Sequence, residues 1–130
     1  MTRSDAPRYD GTVLVDGGGD ELATQLEPRP LIARVRAERD AGVAPALIAA
    51  GFHEAVGRAV AGLAVDLAAR RSLDTIILTG GVFQNARLTE VVAVDLAAAG
   101  LRVLLHADVP CGDGGISLGQ AAIAAAHPDV

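Results

Sequence analysis

The chain has 130 residues, enough for one domain whose core needs no disulfide or metal staple. Hydrophobic residues make up 51%, which excludes disorder over most of the length, and aromatics at 2% with a net charge of −5 argue against a base-stacking platform or a groove for a polyanion. All 11 basic residues are arginine, which excludes a lysine nucleophile, a Schiff base and a Walker lysine.

Residues 1–27 read as a polar amino-terminal segment with a short β hairpin or turn. The first eleven are expected to fray, Thr12 to Val15 is β-prone, and Gly17, Gly18 and Gly19 break that run. Pro28 and Pro30 announce a helix through about Asp40, ended by Gly42 and Pro45. A long helix is expected from about Ala44 to Arg71. Its stripe is Leu47, Ile48, Phe52, Val56, Val60, Leu63 and Leu67, with His53, Glu54, Arg58, Asp66 and Arg70 largely off it. Glu54 and Asp66 are expected to face water. Gly51, Gly57 and Gly62 either weaken the helix or permit close packing.

The second half is more regular. Thr75 to Thr79 reads as a strand buried on both faces. A helix from about Asn85 to Ala99 stops at Gly100, and Arg102 to His106 is a second strand. A loop with Pro110 leads to a last helix starting near Asp113. Strand, helix, strand, helix with short connections implies a parallel pair and an α/β layer fold with flanking helices.

Two constellations sit where strands give way to helices, the edge at which ligands gather in parallel sheets. In the first, Gly80 and Gly81 leave the backbone open to phosphate oxygens, and Asn85 offers an amide that both donates and accepts. In the plainer alternative, the glycines make a tight turn and Asn85 caps a helix. In the second, Asp113 is a hard oxygen ligand for a divalent metal, with room beside it at Gly114 and Gly115; alternatively Asp113 is an N-cap. Both loops leave the same sheet edge, so they suit the two sides of one ligand.

Other residues carry weaker signals. His53 on its long helix reads first as structural, and His106 ends a strand beside the Asp113 loop. Cys111 is the sole cysteine, which rules out an internal disulfide and a cysteine-built zinc site. It reads as a loop filler before it reads as a reactive thiol. The start carries no apolar signal core, and charged or polar residues interrupt every candidate spanning run, so a cytoplasmic protein without a membrane partner is expected.

Thr79 to Asn85 (TGGVFQN), then His106, Val109-Pro110 and Asp113 to Ala121 (DGGISLGQA) together resemble the end of the HypF-type carbamoyltransferase family. Ala49 to His53 (AAGFH) resembles the family's helix with a Phe-His pair, and the likeness runs over roughly residues 28 to 127. The resemblance implies half of an actin-like, Hsp70-like (ribonuclease H-like) ATPase-fold domain, related to threonylcarbamoyl transferases. Residues 28–130 would be its nucleotide-binding carboxyl-terminal subdomain. It implies that Gly80, Gly81, Asn85, Gly114 and Gly115 line a nucleotide site and that Asp113 is a metal ligand. It names no catalytic residue here.

The implied chemistry uses ATP with a divalent metal and carbamoyl phosphate, forming a carbamoyl adenylate. The carbamoyl group passes to the terminal cysteine of a HypE-type partner and becomes a cyanide ligand of a nickel–iron hydrogenase. The family's acylphosphatase-like, zinc-finger and adenylate-forming parts have no counterpart in these residues. Nor does the first half of the transferase domain, with its histidine pair. Gly112 stands where the family often has Asn. The expectation is therefore a segment inactive alone, with an amino-terminal half of the same enzyme or a second copy as partner. The alternatives are a segment of a tRNA threonylcarbamoyl transferase or O-carbamoyltransferase, or a non-catalytic binding module.

Overall fold

Two prolines open the two amino-terminal helices, because a residue in the first turn has no intrahelical use for its N–H. Helix α1 spans Arg29–Asp40 and α2 spans Pro45–Arg71. The computed structural model describes residues 13–15 and 25–127, so the expected frayed start and the triple glycine at 17–19 lie outside the described residues. Strands β1 (Val13–Val15) and β2 (Gln25–Glu27) pair antiparallel, Val13 opposite Glu27. Just before α1, Glu27 accepts hydrogen bonds from the Arg29 guanidinium and from the Arg29 N–H, which pull its pKa down to about 2.

Strand β3 (Thr75–Leu78) leads through a 3-10 turn at Gly81–Gln84 into α3 (Ala86–Ala98). Strand β4 (Arg102–Leu105) returns parallel to β3, with Thr75 opposite Arg102 and Leu78 opposite Leu105. A second 3-10 turn at Asp113–Gly115 opens α4 (Ile116–Ala126). The elements follow the order read from the sequence.

The core lies between α2, α3 and one face of the parallel pair. Ala61, Leu78, Leu88, Val92 and Leu96 form its centre, flanked by Val60, Ile76 and Val103. Leu96 and Val92 are wholly buried, each worth about 1.5–3 kcal/mol of transfer energy. A smaller cluster joins α1 to α2 through Leu31 and Ala55, with Val35 and Phe52 against them.

Two expectations are corrected here. The deepest face of α2 is Ala50, Gly51, Glu54, Ala55, Gly57, Ala61 and Ala68, while every member of the expected large-apolar stripe is only half-buried. Small residues occupy the contact line because α3 comes so close that larger ones fit only beside it. Gly57 marks the point of closest approach: a Cβ there would stand 2.6 Å from Val91 Cγ1. Glu54, expected in water, is 3% exposed and accepts from Arg58 Nη2 at 2.8 Å and from Arg87 Nη2 at 3.1 Å, tying α2 to α3. By length and composition alone α2 could cross a bilayer; 33% of its most apolar window is buried inside the fold.

The second correction concerns the sheet. Ile76, Leu78 and Val103 point inward, yet Ile77 is 61% exposed and Leu104 41%, so the pair is covered on one face instead of two. All of α4 is exposed as well, including Ile116, Leu118 and Ile123.

Two glycines of α2 should respond oppositely to the same change. Gly57→Ala forces Val91 to move and is expected to destabilise by about 1–3 kcal/mol, as overpacking does. Gly62 has nothing within 4 Å of a built Cβ. Gly62→Ala should therefore stabilise by about 0.5–1 kcal/mol through helix propensity. Urea unfolding midpoints of both variants read the two signs; a Gly57→Ala protein as stable as the parent sinks the close-packing account.

Candidate functional site

Both candidate loops leave the carboxyl ends of β3 and β4, and the backbone joins them. Gly80 N–H donates to the Cys111 carbonyl at 2.6 Å, and the Thr79 hydroxyl donates to the same oxygen at 3.4 Å. His106 Nε2 lies 3.0 Å from Thr79 Oγ1, within hydrogen-bond distance. Gly80 adopts φ +101° and ψ 155°, a region that residues with a Cβ avoid. The tight-turn account therefore holds for Gly80. Gly81 differs: nothing lies within 4 Å of a built Cβ, so no neighbour in the chain demands a glycine there.

The joined loops border a cleft of about 370 Å³, a size within the usual range for small-molecule sites. Thr79, Gly80, His106, Cys111, Asp113 and Gly115 are among its walls. Asp113 is exposed, and its carboxylate has no hydrogen-bond or ion-pair partner among the described residues. It is not a cap: Gly115 holds the N-cap position of α4, and no side chain caps that helix. Gly114 has ordinary contacts with Pro110, whereas a Cβ on Gly115 would stand 2.5 Å from the Pro110 carbonyl oxygen. Gly115 thus makes room for the chain itself, apart from any ligand.

Asn85 does cap α3, its Oδ1 accepting the Leu88 N–H at 3.1 Å. Its Nδ2 lies 2.9 Å from His53 Nε2 on α2. The cap and the His53 contact each use one of its hydrogen-bonding positions, which leaves one N–H and one Oδ1 lone pair. Asn85 is not among the residues bordering the Asp113 cleft. A second, mostly apolar hollow of about 420 Å³ lies between α1 and α2, walled by Val35, Arg39, Ile48, Phe52 and His53 among others.

Three contributors were not legible as such. The Cys111 carbonyl, Thr79 and His53 act through partners about thirty residues away, and no local pattern signals such contacts. The Cys111 thiol is free and half-buried, and only its backbone joins the loops. For a metal, one carboxylate supplies one ligand. Among the described residues no group of three His, Cys, Asp or Glu side chains converges, so remaining ligands would have to come from outside them. For a nucleotide, the cleft has a fitting size and Gly80 and Gly115 border it, whereas Gly81 and Gly114 do not.

A parallel β-α-β unit with two glycine loops at its carboxyl edge defines an α/β subdomain. A family model described as "Carbamoyltransferase, Kae1-like Domain, second subdomain" matches residues 6–120. The carbamoyltransferase HypF homolog of Cupriavidus necator is 42% identical over 124 residues, 94% of this chain and 30% of that protein. Carbamoyltransferase HypF of Rhodobacter capsulatus is 36% identical over 101 residues, 78% of this chain and 13% of that one. A crystal structure of full-length HypF in a phosphate- and nucleotide-bound form superposes with a TM-score of 0.83 at 27% identity, covering 98% of this chain and 17% of its own. HypF of T. kodakarensis shares the fold, with a TM-score of 0.74 at 23% identity. The chain belongs to the HypF-type carbamoyltransferase family and corresponds to its carboxyl-terminal part. It spans less than a third of the length of each of these relatives.

Gly80→Ala places a Cβ in a glycine-only conformation, at a cost of about 1–3 kcal/mol. Thermal unfolding should show that loss, and amide exchange should quicken at Gly80 as its bond to Cys111 opens. An unchanged melting temperature would mean that the loop tolerates another conformation.

Proposed function

We propose that the chain is the nucleotide-facing wall of a HypF-type carbamoyltransferase, holding ATP or its carbamoyl adenylate between two glycine loops. The observation that carries it is the 2.6 Å bond from Gly80 N–H to the Cys111 carbonyl, which sets both loops side by side at one sheet edge. Freed amides at such an edge suit phosphate oxygens. The uncrowded Cβ position at Gly81 leaves a path for a ligand to reach the backbone. Asp113, exposed and without a partner among the described residues, is the group to hold a divalent cation on those phosphates. The cation would neutralise phosphate charge when bound.

The same family reading extends to carbamoyl phosphate as substrate, a HypE-type protein as acceptor and nickel–iron hydrogenase maturation as the pathway. Residues 28–130 would be the nucleotide-binding subdomain, behind the hairpin segment 1–27. The remainder of a HypF-type enzyme would supply the second wall and the missing metal ligands. The bare outer face of β3 and β4 and the uncovered α4 are where it would dock. Left uncovered, that apolar surface favours pairing with a second copy.

Calorimetric titration with ATP and Mg²⁺ tests the site. Weak binding without turnover is expected for the chain alone. Asn85→Ala and Gly81→Ala should each lower affinity about tenfold, the value of one hydrogen bond or of one blocked approach. Gly81→Ala should also leave stability within about 0.5 kcal/mol. Asp113→Ala should abolish the Mg²⁺ dependence. Affinity indifferent to all three changes overturns the site, and turnover of carbamoyl phosphate with ATP by the purified chain overturns its dependence on a partner half.

A further inference from the structure

A chain of hydrogen bonds runs from α3 to α2 through two side chains. His53 Nδ1 lies 2.7 Å from the Ala49 carbonyl oxygen, one turn back on α2. A carbonyl only accepts, so Nδ1 carries the proton. In the neutral ring Nε2 is then an acceptor, and it faces Asn85 Nδ2 at 2.9 Å. The Asn85 orientation is set independently: Oδ1 accepts the Leu88 N–H, which only donates, so a flipped amide would lose the cap. Every link therefore has a definite polarity. Leu88 donates to Asn85, Asn85 donates to His53, and His53 donates to Ala49. The Phe52 ring stands edge-on to His53 at 86°, with centroids 5.9 Å apart, and backs the imidazole. Two of Asn85's hydrogen-bonding positions are thus consumed inside the protein, which leaves one amide N–H and one lone pair of Oδ1.

We propose that His53 is a positioning residue for the nucleotide site, holding the Asn85 amide in one orientation so that its remaining N–H is directed at the nucleotide. The inference rests on Asn85 facing nucleotide, the reading given above, and adds the residue that aims it. A residue at 53 must offer an acceptor at the reach of Nε2. Glutamine does so through its carbonyl oxygen, and leucine fills similar space without one.

The test uses the full chain. Nitrogen-15 spectra of His53 should show Nδ1 protonated and Nε2 bare; the opposite tautomer overturns the proposal without any ligand. Titration with ADP and Mg²⁺ then compares the parent, His53→Gln, His53→Leu and Asn85→Ala. His53→Leu is expected to bind about tenfold more weakly, the value of one neutral hydrogen bond, and His53→Gln to stay within about threefold of the parent. A purely structural His53 would not be rescued in this pattern. If His53→Leu does not fold, His53→Gln still decides, since a loss as large as that of Asn85→Ala overturns the role. Equal affinity for His53→Leu and the parent, with Asn85→Ala weakened, removes His53 alone and leaves the nucleotide site standing. An Asn85→Ala protein that binds as the parent does removes the site reading, and the His53 role falls with it.

Discussion

Helices α2 and α3 meet so closely at Gly57 that a single added carbon there would stand 2.6 Å from a methyl of Val91. That approach sets the spacing on which the rest depends. It lines α2 with alanine and glycine, leaves Leu47, Val60 and Leu67 as flanks, and buries Glu54 between two arginines. A carboxylate placed there needs its partners, because an unpaired buried charge is strongly destabilising. Arg58 comes from its own helix and Arg87 from α3, so the ion group also sets how the two helices slide against each other.

The same spacing reaches the site. His53 sits beside Glu54 on α2, and Asn85 caps the helix that carries Arg87. With the backbones held together at Gly57, the two side chains meet at 2.9 Å across 32 residues of sequence. At the carboxyl edge of the parallel pair, Gly80 and Cys111 join the two strand-end loops through a backbone hydrogen bond. The candidate site is thus supported by hydrogen bonds between elements, Asn85 among them, while the Asp113 carboxylate has no partner among the described residues.

The outer surface shows the other half of the same economy. Ile77, Leu104, Leu105 and the whole of α4 are exposed, although their composition is that of a core. Membership of a family whose relatives are several times longer gives this surface a physical sense. A strand of continuous apolar residues is written for burial on both faces, and these described residues supply cover for one.

Local signals determined the elements. Prolines at helix starts, glycines at turns, the β-prone run from Thr75 and the periodicity of α2 were readable because each depends on neighbours a few residues apart. The two glycine motifs, taken together, also carried the family. The tertiary structure alone decided which face of α2 is buried, that Glu54 is a clamp instead of a solvated charge, that Gly57 serves packing where Gly62 does not, and that His53 and Asn85 share a hydrogen bond. It also decided that Asp113 caps nothing. Each of these follows from one helix or loop meeting another some thirty residues away, and a contact of that range leaves no periodicity in the chain for a sequence reading to find.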